Sequence, residues 1–211
     1  MNKDKKIFIN EKRMIKLSRG KRWFKEEEKE VLRNNLCKEC EKCWRIYGYK
    51  KTGIGLLTKS VGISAGAFYA LYHNKEELFY KSLVNLRIRL KSELKEILQN
   101  SRNKTGFKQA VMWLYREYID APFLYNFGSE DFVAFVSKLS IDEMAFLRND
   151  AVSFLSILFD ESGLNLKIDI KTAYETLTLL LFTVSGKDKL SCNHEDAFVI
   201  LLEGVISNIF E

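Results

Sequence analysis

A chain of 211 residues, 46% of them hydrophobic, can bury a sizeable core without disulfide or metal staples. A single proline and 11 glycines argue against disorder and against a loop-rich all-β protein, and for a helical globular fold, and the longest apolar run, Leu177 to Val184, falls far short of the roughly 20 residues that a membrane span requires. The formal charge of +6 is divided unequally: residues 1–81 carry 20 Lys/Arg against 10 Asp/Glu, and residues 82–211 carry 14 against 18, which points to a polyanion, nucleic acid, as partner of the first part only.

The start of the chain is too charged for a secretory signal, so the expected location is the cytoplasm, where cysteines stay reduced. Residues 1–25 hold ten basic and two acidic residues without apolar periodicity. They read as a basic arm, either one that enters a minor groove beside a main DNA site or one that only raises solubility.

From Glu26 the pattern becomes helical, with Glu26, Glu27 and Glu28 placed to complement the helix dipole. The stretch LCKECEKCW (Leu36 to Trp44) contains three of the four cysteines at C-x2-C-x2-C; the fourth is Cys192. At 100° per residue Leu36, Cys37, Cys40, Cys43, Trp44 and Tyr47 all fall within about 140° of Leu32, on one apolar face. Lys38, Glu39, Glu41 and Lys42 fall on the other. A rise of 1.5 Å per residue separates Cys37 from Cys43 by about 9 Å along the axis, too far for one tetrahedral centre with metal–sulfur bonds of about 2.3 Å unless the helix unwinds. The cysteines therefore read as packing residues, with a thiol- or metal-responsive sensor using Cys37, Cys40 and Cys43 as the alternative.

Glycines then punctuate YGYKKTGIGLLTKSVGISAGAFYALYHNKEELF (Tyr47 to Phe79). Gly48 is suited to end the first helix and Thr52 to cap a second through Leu56, Leu57 and Val61. Gly62 breaks that helix, Ser64 is a cap for a third over Ala65 to Tyr72, and Asn74 with Glu77 forms a possible capping box opening a fourth. Three helices joined by a short glycine-containing turn form a helix-turn-helix.

This stretch resembles the DNA-binding signature of the TetR family of transcriptional regulators. Gly48, Tyr49, Thr52, Leu57, Gly62, Ile63, Ser64, Gly66, Ala67, Phe68, Tyr69, Tyr72, Asn74, Lys75, Glu76 and Leu78 match it without a gap, and the cysteine-rich segment resembles the family's first helix. The resemblance covers roughly residues 30–81. It implies backbone phosphate contacts from Thr52, Tyr69 and Lys75, whose hydroxyl, phenol and ammonium suit that role. The expected DNA-binding set is Lys50, Lys51, Thr52, Ser64, Ala65, Gly66, Ala67, Tyr69, His73 and Lys75. Because Ser64 to Ala67 cannot make the bidentate pairing of arginine with guanine, direct base readout is expected to be thin, with methyl contacts, Tyr69 and DNA shape supplying much of the specificity.

Residues 82–211 read as further helices: the fourth continues from Lys75 to about Asn100, and others run near Phe107 to Asp120, Ser129 to Lys138, Ile141 to Phe159, Ile170 to Ser185 and Asn193 to Phe210. Ser140 with Glu143, Asp169, and Asn193 with Asp196 supply caps. With no Gly-rich phosphate loop, no metal-ligand spacing, no nucleophile–base pair and only two histidines, His73 and His194, an enzyme is not expected, nor is a cofactor or metal. Aromatic residues concentrate in this half, and Trp113, Tyr115, Tyr118, Phe135, Phe154 and Tyr174 are candidates to line a pocket for a small apolar effector.

The expected architecture is all-α with about nine helices: a basic arm (1–25), a helix-turn-helix DNA-binding domain (26–81) and a helical-bundle effector-binding and dimerisation domain (82–211). The resemblance implies a homodimer formed through the last two helices, double-stranded DNA as partner and a ligand-responsive repressor binding a palindromic operator.

Overall fold

The computed structural model describes residues 25–121, 123, 128–189 and 193–211. Nearly all of the expected basic arm, and Cys192, lie outside the described residues. Within them nine α-helices follow one another: α1 (Glu26–Lys51), α2 (Ile54–Val61), α3 (Ala65–Tyr69), α4 (Lys75–Asn100), α5 (Lys104–Asp120), α6 (Glu130–Val136), α7 (Ile141–Asp160), α8 (Ile170–Phe182) and α9 (His194–Ile209), with a 3-10 segment at Thr183–Lys189. The all-α expectation holds; among the described residues the only extended pairing is a single bridge between Leu166 and Phe210.

Periodicity and capping explain these boundaries. α1 buries Leu32, Leu36, Cys37, Cys40, Cys43, Trp44 and Tyr49, the stripe expected from its sequence except at Tyr47, which is half exposed. One residue before the left-handed Gly48, Tyr47 sits where the helical phase ends. Asn74 accepts from the Glu77 amide at 2.8 Å and opens α4. The Glu77 carboxylate returns to the amide of His73 rather than to Asn74, so the box is displaced by one residue. Ser140 and Glu143 form a reciprocal capping box, Asp169 accepts from Thr172 at 2.9 Å, and Asn193 accepts from Glu195 at 3.2 Å. α3 is shorter than expected. Its helical geometry stops at Tyr69, and tight turns carry the chain on to Tyr72.

α1 packs along α4 and also meets α2 and α6; α4 in turn packs on α5 and α7, and α8 pairs with α9. α4 thus continues unbroken from the helix-turn-helix region into the rest of the molecule. Leu78, Phe79, Leu83, Leu86, Leu90, Leu94 and Leu98 make its buried stripe, each worth about 1.5–3 kcal/mol when fully buried. Among the described residues one charged group interrupts the apolar interior. Arg87 is buried, donates to the Leu147 carbonyl at 2.9 Å and pairs with Asp150 at 3.3 Å, and Lys91 also reaches Asp150. Burial lowers the Arg87 pKa, with Asp150 opposing the shift; such a pair adds little net stability, because desolvation of both charges offsets their attraction.

No helix of the described residues is long and apolar enough to cross a membrane. On α8 and α9, Leu179, Phe182, Ile200 and Leu201 remain exposed.

Candidate nucleic-acid interface

The surface is organised around Gly48, whose φ of 79° and ψ of 172° break α1 in a region essentially reserved for glycine. Beyond this kink the Tyr49 amide donates to Asp131 Oδ2 at 2.7 Å and the Lys50 amide to Asp131 Oδ1 at 2.8 Å. Lys50 Nζ lies 3.2 Å from Glu130. The Thr52 hydroxyl donates to the Gly48 carbonyl at 2.7 Å.

Thr52 requires a correction on two counts. It is fully buried, so its hydroxyl is turned away from any phosphate, and it does not cap α2. That position belongs to Gly53, and no side chain caps the helix. The local hydrogen bond to Gly48 has won over the capping role. Exposed Gly53 and Gly55 leave the main-chain N–H groups at the start of α2 open to an anion, which the helix dipole favours.

The turn between α2 and α3 follows from Gly62, left-handed at φ 77° and ψ 31°. Its amide returns to Thr58 and Lys59, and that of Ile63 to Thr58, closing the end of α2. Ser64 then accepts from the Ala67 amide at 3.1 Å and starts α3. Phe68, Leu71 and Tyr72 point inward, whereas Ser64, Ala65, Gly66 and Tyr69 are exposed and Ala67 half-buried. Tyr69, 58% exposed, is the one large side chain on this outer face of α3, free to meet DNA while Phe68 anchors the helix.

The remaining expected contacts divide. Lys51 is exposed. His73 is exposed and pairs with Glu77 at 2.9 Å. The Lys75 ammonium is half-buried, donates to the Tyr49 carbonyl and lies 3.9 Å above the Tyr49 ring. Burial lowers its pKa, with Glu76 and Asp131 opposing. In this conformation Lys75 braces the end of α1 and is not directed to solvent. Lys59, exposed in the last turn of α2, adds a cation to the surface that the expected set omitted; its charge at the end of a helix beside the turn was the available signal.

The six candidates for an effector pocket lie on α5, α6, α7 and α8. Phe135 is buried with Trp44, Tyr49, Phe79 and Phe132 where α6 meets α1 and α4. Tyr115 stacks on His194 and packs at a tilt against Phe198, and its hydroxyl lies 2.9 Å from His194 Nδ1. Tyr118 and Tyr174 lie near Arg87 and each other, Phe154 is buried in α7 and Trp113 is half-buried on α5. Phe135 and Tyr115 thus stand in different aromatic clusters, one against Trp44 and the other against His194. A cleft of about 340 Å³ lies elsewhere, lined by Lys38, Glu41, Lys42, Arg45, Ile46 and Arg89.

Cys37, Cys40 and Cys43 are free thiols in the interior. Cys37 Sγ lies 3.4 Å from the Tyr72 hydroxyl, and Cys43 donates to Glu39 at 3.7 Å. Desolvation pushes the Cys40 thiol far up and raises that of Cys43, where Glu39 adds to the shift. Buried thiols held protonated are poor nucleophiles and poor ligands. Among the described residues no group of three His, Cys, Asp or Glu side chains is arranged to hold a metal. Beside the cysteines, Trp44 stacks on Phe123 at 4.2 Å, so this face of α1 braces the helix-turn-helix against the rest of the molecule.

No family model matches the sequence, and no curated protein matches it. Solved structures match by fold. A Mesorhizobium loti protein described as a TetR-family transcriptional regulator superimposes with a TM-score of 0.59 at 12% identity, over 85% of this chain and 95% of that one. The reduced form of NemR from E. coli gives 0.57 at 18% identity, over 85% and 97%. A cysteine-substituted CifR, a TetR family transcriptional regulator in complex with 26-base-pair operator DNA, gives 0.56 at 14% identity, over 90% and 98%. The chain has the TetR-family fold over most of its length.

Proposed function

We propose that this protein is a DNA-binding transcriptional regulator, a ligand-responsive repressor that binds a palindromic operator as a homodimer. The observation that carries the reading is the outer face of the helix-turn-helix: Ser64, Ala65, Gly66 and Tyr69 exposed on α3 beside an uncapped start of α2 and the cations Lys51 and Lys59. Residues 26–81 form the DNA-binding part and residues 82–211 the regulatory part. Base readout rests on Ala65, Gly66, Ala67 and Tyr69 with indirect contributions from DNA shape; Ser64, Lys50, Lys51 and His73 surround them. The CifR complex with operator DNA supports the reading by fold.

Two copies are needed, because half-sites about 34–36 Å apart, or a multiple of that, must each receive an α3. The exposed apolar residues Leu179, Phe182, Ile200 and Leu201 on α8 and α9 suit a four-helix interface between copies. A small apolar effector that binds the DNA-incompetent spacing of the two α3 helices better than the competent one lowers operator affinity by that difference. The burial of Cys37, Cys40 and Cys43 gives the thiol- or metal-sensor alternative no support. The location proposed is the cytoplasm.

Selection of fragments from native genomic DNA by the full chain, followed by anisotropy titrations, tests the reading. The expected result is a selected duplex bound at least 10³-fold more tightly than random DNA of equal length, with strong salt dependence. Equal affinity for both would refute it.

A further inference from the structure

The start of α6 lies on the end of α1, at the edge of the DNA-facing surface. Asp131 receives two consecutive main-chain N–H groups, those of Tyr49 and Lys50, at 2.7 and 2.8 Å, and Glu130 sits 3.2 Å from the Lys50 ammonium. Two successive amides following a left-handed glycine, joined by a lysine, make an oxyanion cradle of the kind that takes phosphate. Here carboxylates fill it. A Cβ on Gly48 would lie 2.9 Å from Asp131 Oδ1, so the approach depends on glycine at that position. Behind the carboxylates, Phe132 and Phe135 are buried, Phe135 beside Trp44 and Tyr49, which fixes where the start of α6 is held. The contact joins residues 82 positions apart in sequence.

We infer that Glu130 and Asp131 are an internal phosphate mimic: they occupy the Tyr49–Lys50 cradle in the DNA-free protein and compete there with a backbone phosphate of the operator. The inference rests on the DNA-binding reading and deepens it by naming a regulatory contact. Lys50, counted among the DNA-binding residues, is engaged internally until α6 releases it. A ligand that presses the start of α6 onto α1 weakens DNA binding, and one that lifts it strengthens DNA binding. The acid in the pair with Lys50 is exposed and the contact is at the surface, so the effect is graded rather than all-or-none.

The test is a double-mutant cycle on the full-length protein with its selected duplex and with random DNA. Glu130→Gln, an exposed change that leaves Asp131 and the aromatic packing intact, is expected to tighten binding about two- to five-fold per protomer at low salt and to steepen the slope of log K against log salt by up to about 0.9 per released lysine. In a Lys50→Met background the same substitution is expected to change nothing. The inference is overturned if Glu130→Gln leaves affinity and salt slope unchanged, or if its gain survives in the Lys50→Met background, which would make it a general field effect of one less negative charge. Wild-type protein that binds the selected duplex while failing this cycle overturns the mimic alone; wild-type protein that binds no DNA overturns the function reading with it.

Discussion

Gly48→Ala tests the joint between α1 and α6 in a way that separates backbone strain from a specific contact. At φ 79° and ψ 172° an alanine is strained by about 1–3 kcal/mol. Its Cβ would also lie 2.9 and 3.0 Å from the two Asp131 carboxylate oxygens, driving that side chain off the Tyr49 and Lys50 amides and losing roughly another 1 kcal/mol of partly solvated hydrogen bonding. The expected cost is about 2–4 kcal/mol, a fall in Tm of about 5–15 °C for a chain of this size. Gly62→Ala is the control. Its glycine is also left-handed, at φ 77°, but has no neighbouring atom within 4 Å of the added Cβ, so about 1–2 kcal/mol is expected from strain alone. Urea unfolding with a constant m-value reports both. In a Gly48→Ala, Asp131→Ala double variant the contact with Asp131 is already absent, so the two costs should combine to about 1 kcal/mol less than their sum. Strict additivity of the cycle would refute the claim that Asp131 grips the α1 kink.

Four further outcomes are expected. In a Cys192→Ser variant, an aromatic disulfide reagent at pH 8 should label Cys37, Cys40 and Cys43 slowly until denaturant is added, because burial keeps the Cys40 and Cys43 thiols protonated; fast labelling of the native protein would reopen the sensor reading. Phe68→Ala should cost about 3–5 kcal/mol in urea unfolding because that ring is fully buried, whereas exposed Tyr69→Phe should stay within about 0.5 kcal/mol yet weaken DNA binding several-fold in anisotropy. Burial pushes the Tyr118 phenol up to about 12 from about 10 in an unfolded chain, so the stability it supplies is complete below pH 10 and declines as pH rises from 10 towards 12; denaturation midpoints that stay level up to pH 12 would contradict this. Leu179→Glu with Ile200→Glu should convert a species of twice 24.6 kDa into one of that mass in sedimentation, and a wild-type monomer at micromolar concentration would contradict the proposed interface.

Local chemistry made much of the fold legible. The α1 stripe follows from a 3.6-residue period, and Ser64, Asn74, Ser140 and Asp169 cap helices because each stands three residues before an amide that it can reach. Thr52 misled because two local hydrogen bonds compete for one hydroxyl, and the nearer carbonyl of Gly48 takes it. The aromatic residues of the second half could not be sorted from sequence. Phe135 and Tyr115 are equally apolar on paper, yet one packs against Trp44 and the other against His194, a difference set by which helices meet. The Asp131 contact to Tyr49 and Lys50 has no local signal at all; only the docking of α6 brings the carboxylate to the glycine kink.

α1, kinked at Gly48 and stiffened by a cysteine- and aromatic-rich face, joins an exposed helix-turn-helix to the rest of the molecule through α4 and α6. The exposed face around Ala65, Gly66 and Tyr69 is proposed to read DNA. Anisotropy titration of the wild-type chain and of Tyr69→Ala against the duplex selected from native genomic DNA, each across a salt series, tests it most directly. One dimer per duplex, affinity that falls steeply with salt, and a loss of preference over random DNA on removal of Tyr69 are expected; binding that is absent at low salt, or preference unchanged in Tyr69→Ala, would show that this face does not read DNA.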